Sequence, residues 1–254
     1  MTGPKPLDWD VVLDRLSGFY HRGDWRVPYL RDHAENPFQV LVGTILSQRT
    51  RDENTDRASA QLFAKYPGPK ELAAASTASL EKLIHSTGYY HTKARHIRAT
   101  SQAILDRFDG KVPADRELLL SLPGVGPKTA NCVLVFGYGL PAVPVDTHVH
   151  RIANRLGLVR TKTPEQTELE IVRTVPPQYW LPLNPLLVQH GQNICRPNRP
   201  LCDQCPIVEY CATGVALREG RAPPRKEDRP GKRRTKRASK PTRPDSPRGS
   251  SPRR

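Results

Sequence analysis

The chain has no apolar run approaching the roughly 20 residues that a membrane-spanning helix needs. Its opening stretch, Met1 to Asp10, does not read as a secretory leader. No segment alternates persistently between apolar and polar residues, which is the pattern of a half-buried strand. The separated C-x2-C pairs of a zinc ribbon are also missing. These absences argue against a membrane protein and a secreted one, and they leave no support for a sheet. A soluble, intracellular, all-α protein is expected. At 254 residues the chain suffices for one large or two modest domains with a real core.

Positive charge is abundant but unevenly placed. The formal net charge is +15, and residues 221–254 supply +11 of it, from 14 Lys/Arg against Glu227, Asp228 and Asp245. That Pro/Ser/Arg-rich segment holds too little apolar surface to offset its ordering entropy and is expected to be disordered. Its composition suits nonspecific, salt-sensitive attraction to nucleic acid, or simple solubilisation.

Helical periodicity and its punctuation organise the rest. Leu7 to Tyr20 carries a helical apolar stripe, and Phe38 to Leu46 forms a strongly apolar helix with Asn36 as its cap. Further helices are expected over Asp52–Tyr66, Pro69–Ala75, Ser79–Ser86 and Thr92–Phe108. They continue over Ala114–Ser121, Pro127–Val135, Thr147–Leu156, Thr163–Thr174 and Trp180–Asn193. Gly88-Tyr89-Tyr90 reads as a turn, and Gly137 to Val145 as a connection.

Three short stretches carry the chemistry. In Leu122-Pro123-Gly124-Val125-Gly126-Pro127-Lys128-Thr129-Ala130, Pro127 suits a first helical position, and the glycines permit a tight turn. A helix starting there points unpaired N–H groups outward, a ready site for phosphate, although such a turn can equally join two core helices. In Val143-Pro144-Val145-Asp146-Thr147-His148-Val149-His150-Arg151, Asp146 occupies a natural N-cap, and the two histidines are too close in sequence to share a helical face. Ser47-Gln48-Arg49-Thr50-Arg51-Asp52 is a polar patch that is either a solvated helix end or a loop able to reach bases.

Four of the five cysteines cluster as Cys195-x6-Cys202-x2-Cys205-x5-Cys211, while Cys132 stands alone. In an intracellular chain this spacing points to a metal centre rather than disulfides, and zinc and an iron–sulfur cluster both accept four thiolates.

The hairpin, the Val-Asp-Thr-His segment with Asp146 18 positions after Lys128, and the cysteine array occur together in one order. In that order and spacing, from about Pro37 to Cys211, the chain resembles endonuclease III, the iron–sulfur branch of the helix-hairpin-helix DNA glycosylases. The resemblance implies two helical domains. A six-helix barrel domain would span 31–140, with the helix-hairpin-helix at about 114–136. A four-helix iron–sulfur domain, from 1–30 and 141–214, would hold a [4Fe–4S] cluster on Cys195, Cys202, Cys205 and Cys211. The disordered basic tail would then occupy 215–254, and DNA would lie in the cleft between the domains.

Residue by residue, the resemblance implies that Lys128 is the nucleophile and Asp146 its carboxylate partner. Burial and the positive end of a helix would favour the free amine at Lys128, and Asp146 would pull the other way. Gln48, Arg49, Tyr89, Gly124, Val125, Gly126 and His148 are the implied DNA contacts. The implied activity is excision of oxidised pyrimidines such as thymine glycol, followed by strand cleavage at the abasic site. The implied partner is double-stranded DNA, met by a monomer in the cytoplasm or nucleoid and not at a membrane. Some positions depart from the family pattern. The glutamine of the polar loop is displaced to Gln48, so either Gln48 or Arg49 would fill the gap left by a flipped base. Tyr89 replaces an aliphatic wedge, Pro127 replaces a common arginine, and Leu120 stands where some members have an acid. Sister glycosylases acting on mismatches generally lack the lysine, and a DNA-binding redox module would need neither Lys128 nor Asp146.

Overall fold

The computed structural model describes residues 3–21 and 36–221. Among them are twelve α-helices and no strand, as the periodicity predicts. Residues 22–35 and nearly all of the basic tail lie outside the described residues.

The first of two cores is assembled by α2 (Pro37–Ser47), α3 (Asp52–Lys65), α4 (Pro69–Ala74), α5 (Thr77–Ile84), α6 (Tyr90–Phe108), α7 (Arg116–Leu120) and α8 (Pro127–Cys132). Helix α2 begins where expected because Asn36 Oδ1 accepts from the N–H groups of Phe38 (2.9 Å) and Gln39 (3.3 Å), with Pro37 at the first position. It is apolar all round, with Phe38 and the whole run Val40–Leu46 buried, so it becomes the central rod. Each large side chain buried there contributes about 1.5–3 kcal/mol. Helices α3, α6 and α8 pack against it. Helix α8 runs on into a wider helical turn, Val133–Gly137, before the chain leaves this core.

The second core joins distant parts of the chain. Helix α1 (Trp9–His21) packs with α9 (Thr147–Leu156), α10 (Pro164–Thr174) and α11 (Trp180–Asn193). Along the chain, the first core ends at Ala142 and the second resumes at Val143. Both belong to one compact unit.

Boundaries follow their caps. Asp146 and Gly157, the latter at φ +84°, bracket α9, and Thr163 caps α10 by accepting from the Gln166 N–H at 3.3 Å. Helix α12 (Ala212–Arg218) was not anticipated; it carries the chain through positions 215–218, where the expected tail would already have begun.

Candidate active site and nucleic-acid interface

The hairpin between α7 and α8 is built by a reverse turn that demands glycine at one position. Gly124 has φ +75°, and a Cβ there would lie 2.6 Å from His96 Nδ1, so α6 seals the back of the turn. Val125 is buried in the first core and can offer only its backbone outward. Thr100 Oγ1 donates to the Pro123 carbonyl and ties the turn to α6. Gly126 is different: its φ of −105° is open to any residue, and a Cβ there would touch nothing in the protein. The glycine requirement expected at both positions therefore holds internally only at Gly124. Helix α8 starts with no side-chain cap, which leaves its first N–H groups to outside partners.

Lys128 projects from the first turn of α8 and is half-buried. Burial works against its ammonium, but Cys132, one turn on, together with Asp146 and Asp52 outweighs burial and raises the pKa above the ordinary lysine value. Burial in turn pushes the Cys132 thiol up. Burial and the helix start favour the free amine and Asp146 opposes them; the net shift is upward, toward the ammonium.

Asp146 is the N-cap of α9. Its Oδ1 accepts from the N–H groups of His148 and Val149, both at 2.8 Å. The extended Val143-Pro144-Val145 that delivers it is pinned from both sides. Asn131, three residues after Lys128, donates to the Val143 carbonyl at 3.0 Å, and Asn184 of α11 donates to the Pro144 carbonyl at 2.7 Å. Both asparagines are buried. They hold Lys128 and Asp146 in register, yet nothing in their sequence context singles them out. Asp52, at the start of α3, reaches the second core, its Oδ2 accepting from Gln192 Nε2 at 2.9 Å.

The polar loop after α2 and the turn before α6 form one projection. Gln48 turns inward, its Nε2 3.4 Å from Thr129 Oγ1 beside Lys128. Arg49 turns outward, with Nη1 donating to the Tyr89 hydroxyl at 3.1 Å and its guanidinium 5.4 Å from the Tyr89 ring centre. Tyr89 is 64% exposed. His148 lies against Gly191, where a Cβ would be 2.4 Å from its Nδ1, and that nitrogen is 3.0 Å from Arg151 Nη2. His150 instead meets Thr167 at 2.6 Å, so the two histidines serve separate networks.

Cys195, Cys202, Cys205 and Cys211 all line one cavity whose other walls include Ile152, Leu156 and Ile194. Arg155 Nη1 donates to Cys195 Sγ and the Gly214 N–H to Cys211 Sγ, each at 3.3 Å, and His190 Nε2 is 3.5 Å from Cys205 Sγ. Burial pushes the thiols of Cys205 and Cys211 up to about 12 and about 11, so a bound cation is needed to draw off their protons at neutral pH. Burial lowers His190 to about 4 and keeps it neutral. Four soft donors around one cavity, with N–H groups aimed at sulfur, fit a thiolate-held cluster. Among the described residues, no three His, Cys, Asp or Glu side chains converge as the shell of a single metal ion.

Two helical cores, a helix-hairpin-helix and a lysine–aspartate pair between them define a helix-hairpin-helix base excision repair protein. A family model of the HhH-GPD superfamily base excision DNA repair proteins matches residues 42–177. The chain is 50% identical over 182 residues to endonuclease III of Thermotoga maritima, covering 71% of this chain and 85% of that one. It is 38% identical over 206 residues to endonuclease III of Bacillus subtilis, covering 81% and 92%. A solved structure of a trapped endonuclease III–DNA covalent intermediate matches with a TM-score of 0.72 at 31% identity, covering 84% of this chain and 99% of that one. The chain belongs to the endonuclease III family, and is a base excision repair DNA glycosylase.

Proposed function

We propose that this protein is a bifunctional glycosylase and abasic-site lyase acting on oxidised pyrimidines of the thymine glycol type in double-stranded DNA. One observation carries the reading: Lys128, at the start of the hairpin's second helix, shares its surroundings with Asp146.

The hairpin and the open start of α8 suit a phosphate, and the empty space beside Gly126 lets a backbone come close. The damaged nucleotide leaves the duplex for the cleft, and Arg49 with Tyr89 takes up the space it vacates, Gln48 being turned toward Thr129. Lys128 must first lose a proton, and the neighbouring Asp146 carboxylate is the acceptor. The free amine attacks C1′ of the deoxyribose, the C1′–N bond breaks, and the base departs and takes up a proton. The C1′–O4′ bond then opens, the proton on the attached amine passing to O4′, and the C1′=N Schiff base forms. Removal of a C2′ proton expels the 3′ phosphate by β-elimination. Asp146 also stabilises positive charge developing on the sugar, so the helix cap serves as a catalyst.

Cys195, Cys202, Cys205 and Cys211 would hold a [4Fe–4S] cluster, supported by their shared cavity and the N–H groups on sulfur. Such a cluster supplies a rigid four-point link between chain segments; none of the steps above runs through it. Gly124, Gly126 and the Val125 backbone are the proposed phosphate contacts. His148, held by Gly191 and Arg151, completes the DNA surface near Asp146. The protein is proposed to work as a monomer on DNA in the cell interior.

Borohydride trapping tests the reading. With a thymine glycol duplex, the wild-type protein forms a covalent adduct and Lys128→Ala does not. Absence of a wild-type adduct with both damaged and abasic DNA would falsify the lyase assignment. Purified protein is expected to be yellow-brown, and a colourless, zinc-loaded and fully active preparation contradicts the iron assignment.

A further inference from the structure

Lysine is seldom buried, because removing an ammonium from water is costly unless it is well partnered. Lys93 of α6 is 3% exposed, and its Nζ donates to the Leu46 carbonyl at 2.6 Å and to Thr50 Oγ1 at 2.7 Å. Leu46 is in the last turn of central helix α2, and Thr50 belongs to the polar loop that follows. Thr50 Oγ1 also accepts from the Gly88 N–H at 3.1 Å and donates to the Gln48 carbonyl at 3.2 Å. Lys93 and Thr50 together therefore tie the end of α2, the 48–51 loop and the 87–89 turn. At Gly88 the two segments touch so closely that a Cβ would lie 2.8 Å from the Arg49 carbonyl oxygen.

This knot lies beneath a strained structure. Arg49 and Tyr89 both have left-handed backbones, with φ of 52° and 59°. Such a backbone is strained for a residue with a side chain, and survives only where the surroundings over-determine it. Their side chains meet outside, guanidinium on ring. Neither loop could hold this shape alone, and the buried ammonium supplies the shared anchor. Burial lowers Lys93 to about 8, so it carries its charge at neutral pH.

We propose that Lys93 is a positioning residue that preforms the Arg49–Tyr89 pair as a single wedge, which fills the duplex beside the flipped nucleotide and engages the base left opposite it. The inference rests on the glycosylase/lyase reading and concerns how that activity meets paired DNA. An aromatic ring capped by a guanidinium offers a flat, cationic stacking face, and such faces accept any base. Lys93 contacts neither the DNA nor Lys128. It acts by sparing the loops the entropy of organising when DNA arrives.

The test compares two duplexes, one with thymine glycol facing a base and one with it facing a one-nucleotide gap, where no base has to be parted from its partner. Lys93→Met keeps the length of the side chain and removes the ammonium, and Thr50→Val removes the hydroxyl that links the loops. For each variant the ratio of kcat/KM on the paired duplex to that on the gapped duplex should fall roughly tenfold from the wild-type ratio, a modest misplacement penalty. With 2-aminopurine opposite the lesion, the fluorescence rise on binding should shrink in step. An unchanged ratio in both variants, or an equal loss on both duplexes, overturns the proposal. A wild-type protein that forms no borohydride adduct overturns the lyase reading and this inference with it, whereas a wild-type adduct with an unchanged variant ratio overturns this inference alone.

Discussion

Asp146 caps α9, and substitution can separate that role from the catalytic one proposed for it. Asparagine caps a helix about as well as aspartate, so Asp146→Asn should keep the bonds to the His148 and Val149 N–H groups. Its urea midpoint should stay close to wild type, while Asp146→Ala should lose about 1 kcal/mol with the cap. Both variants remove a carboxylate that raises the Lys128 pKa. That pKa should fall in each, as read by NMR titration of reductively methylated protein, yet trapping should slow because the proton acceptor has gone. A variant that frees the amine and traps faster would show that the carboxylate is only a cap.

Lys93 offers a pH test with a definite sign. Its folded pKa of about 8 lies below the ordinary 10.5, so between those values the unfolded chain binds more protons than the folded one. Its contribution to stability is constant and unfavourable below pH 8, and improves as pH rises through the window. The stability of Lys93→Met minus that of wild type should therefore fall between about pH 8 and 10 in urea titrations. A flat difference would mean the ammonium is better hydrated than its burial indicates.

At the scale of elements, helices with a chemical start signal were legible in the sequence. Asn36-Pro37 marks α2, and Asp146 and Gly157 mark α9, because a cap is a local interaction between neighbours in the chain. Helix α12 was not foreseen: Ala212-Thr-Gly-Val is weakly helical alone, and it forms where Cys211 Sγ accepts from the Gly214 N–H. Lys128, Asp146 and the four cysteines were legible as candidates through motif and spacing. Lys93, Asn131, Asn184 and Asp52 were not, since each matters through a partner at least 12 residues away. Gly88 tests the contact between the two loops. Gly88→Ala would drive its methyl into the Arg49 carbonyl, so excision on paired DNA should fall more than on gapped DNA. Equal rates on both would mean the loops slide apart without consequence.

For the whole molecule, the two cores and the connection between them are linked by polar bonds such as those of Asn131, Asn184 and Gln192. Asn184→Ala would leave the buried Pro144 carbonyl unpaired, a loss of about 1–3 kcal/mol. Because that carbonyl is two residues before Asp146, kcat should suffer more than KM. Charge acts at this scale too. The tail holds +11 of the +15 net charge, so truncation after Gly220 should weaken DNA binding and flatten the dependence of log Kd on log salt. An unchanged salt slope would relieve the tail of that role.

The split makeup of the second core also bears on synthesis. Helix α1 contributes Val12, Leu13, Leu16 and Tyr20 to a cluster whose remaining members begin at Val143. Roughly 120 residues must be translated between them, which takes about 6–25 s at ordinary elongation rates. For that interval α1 lacks the later helices of its core, while α2 to α8 can already close around their own. The nascent chain therefore presents part of the second core's apolar surface before the rest of that core exists, and a chaperone that shields it would act before Lys128 and Asp146 have met.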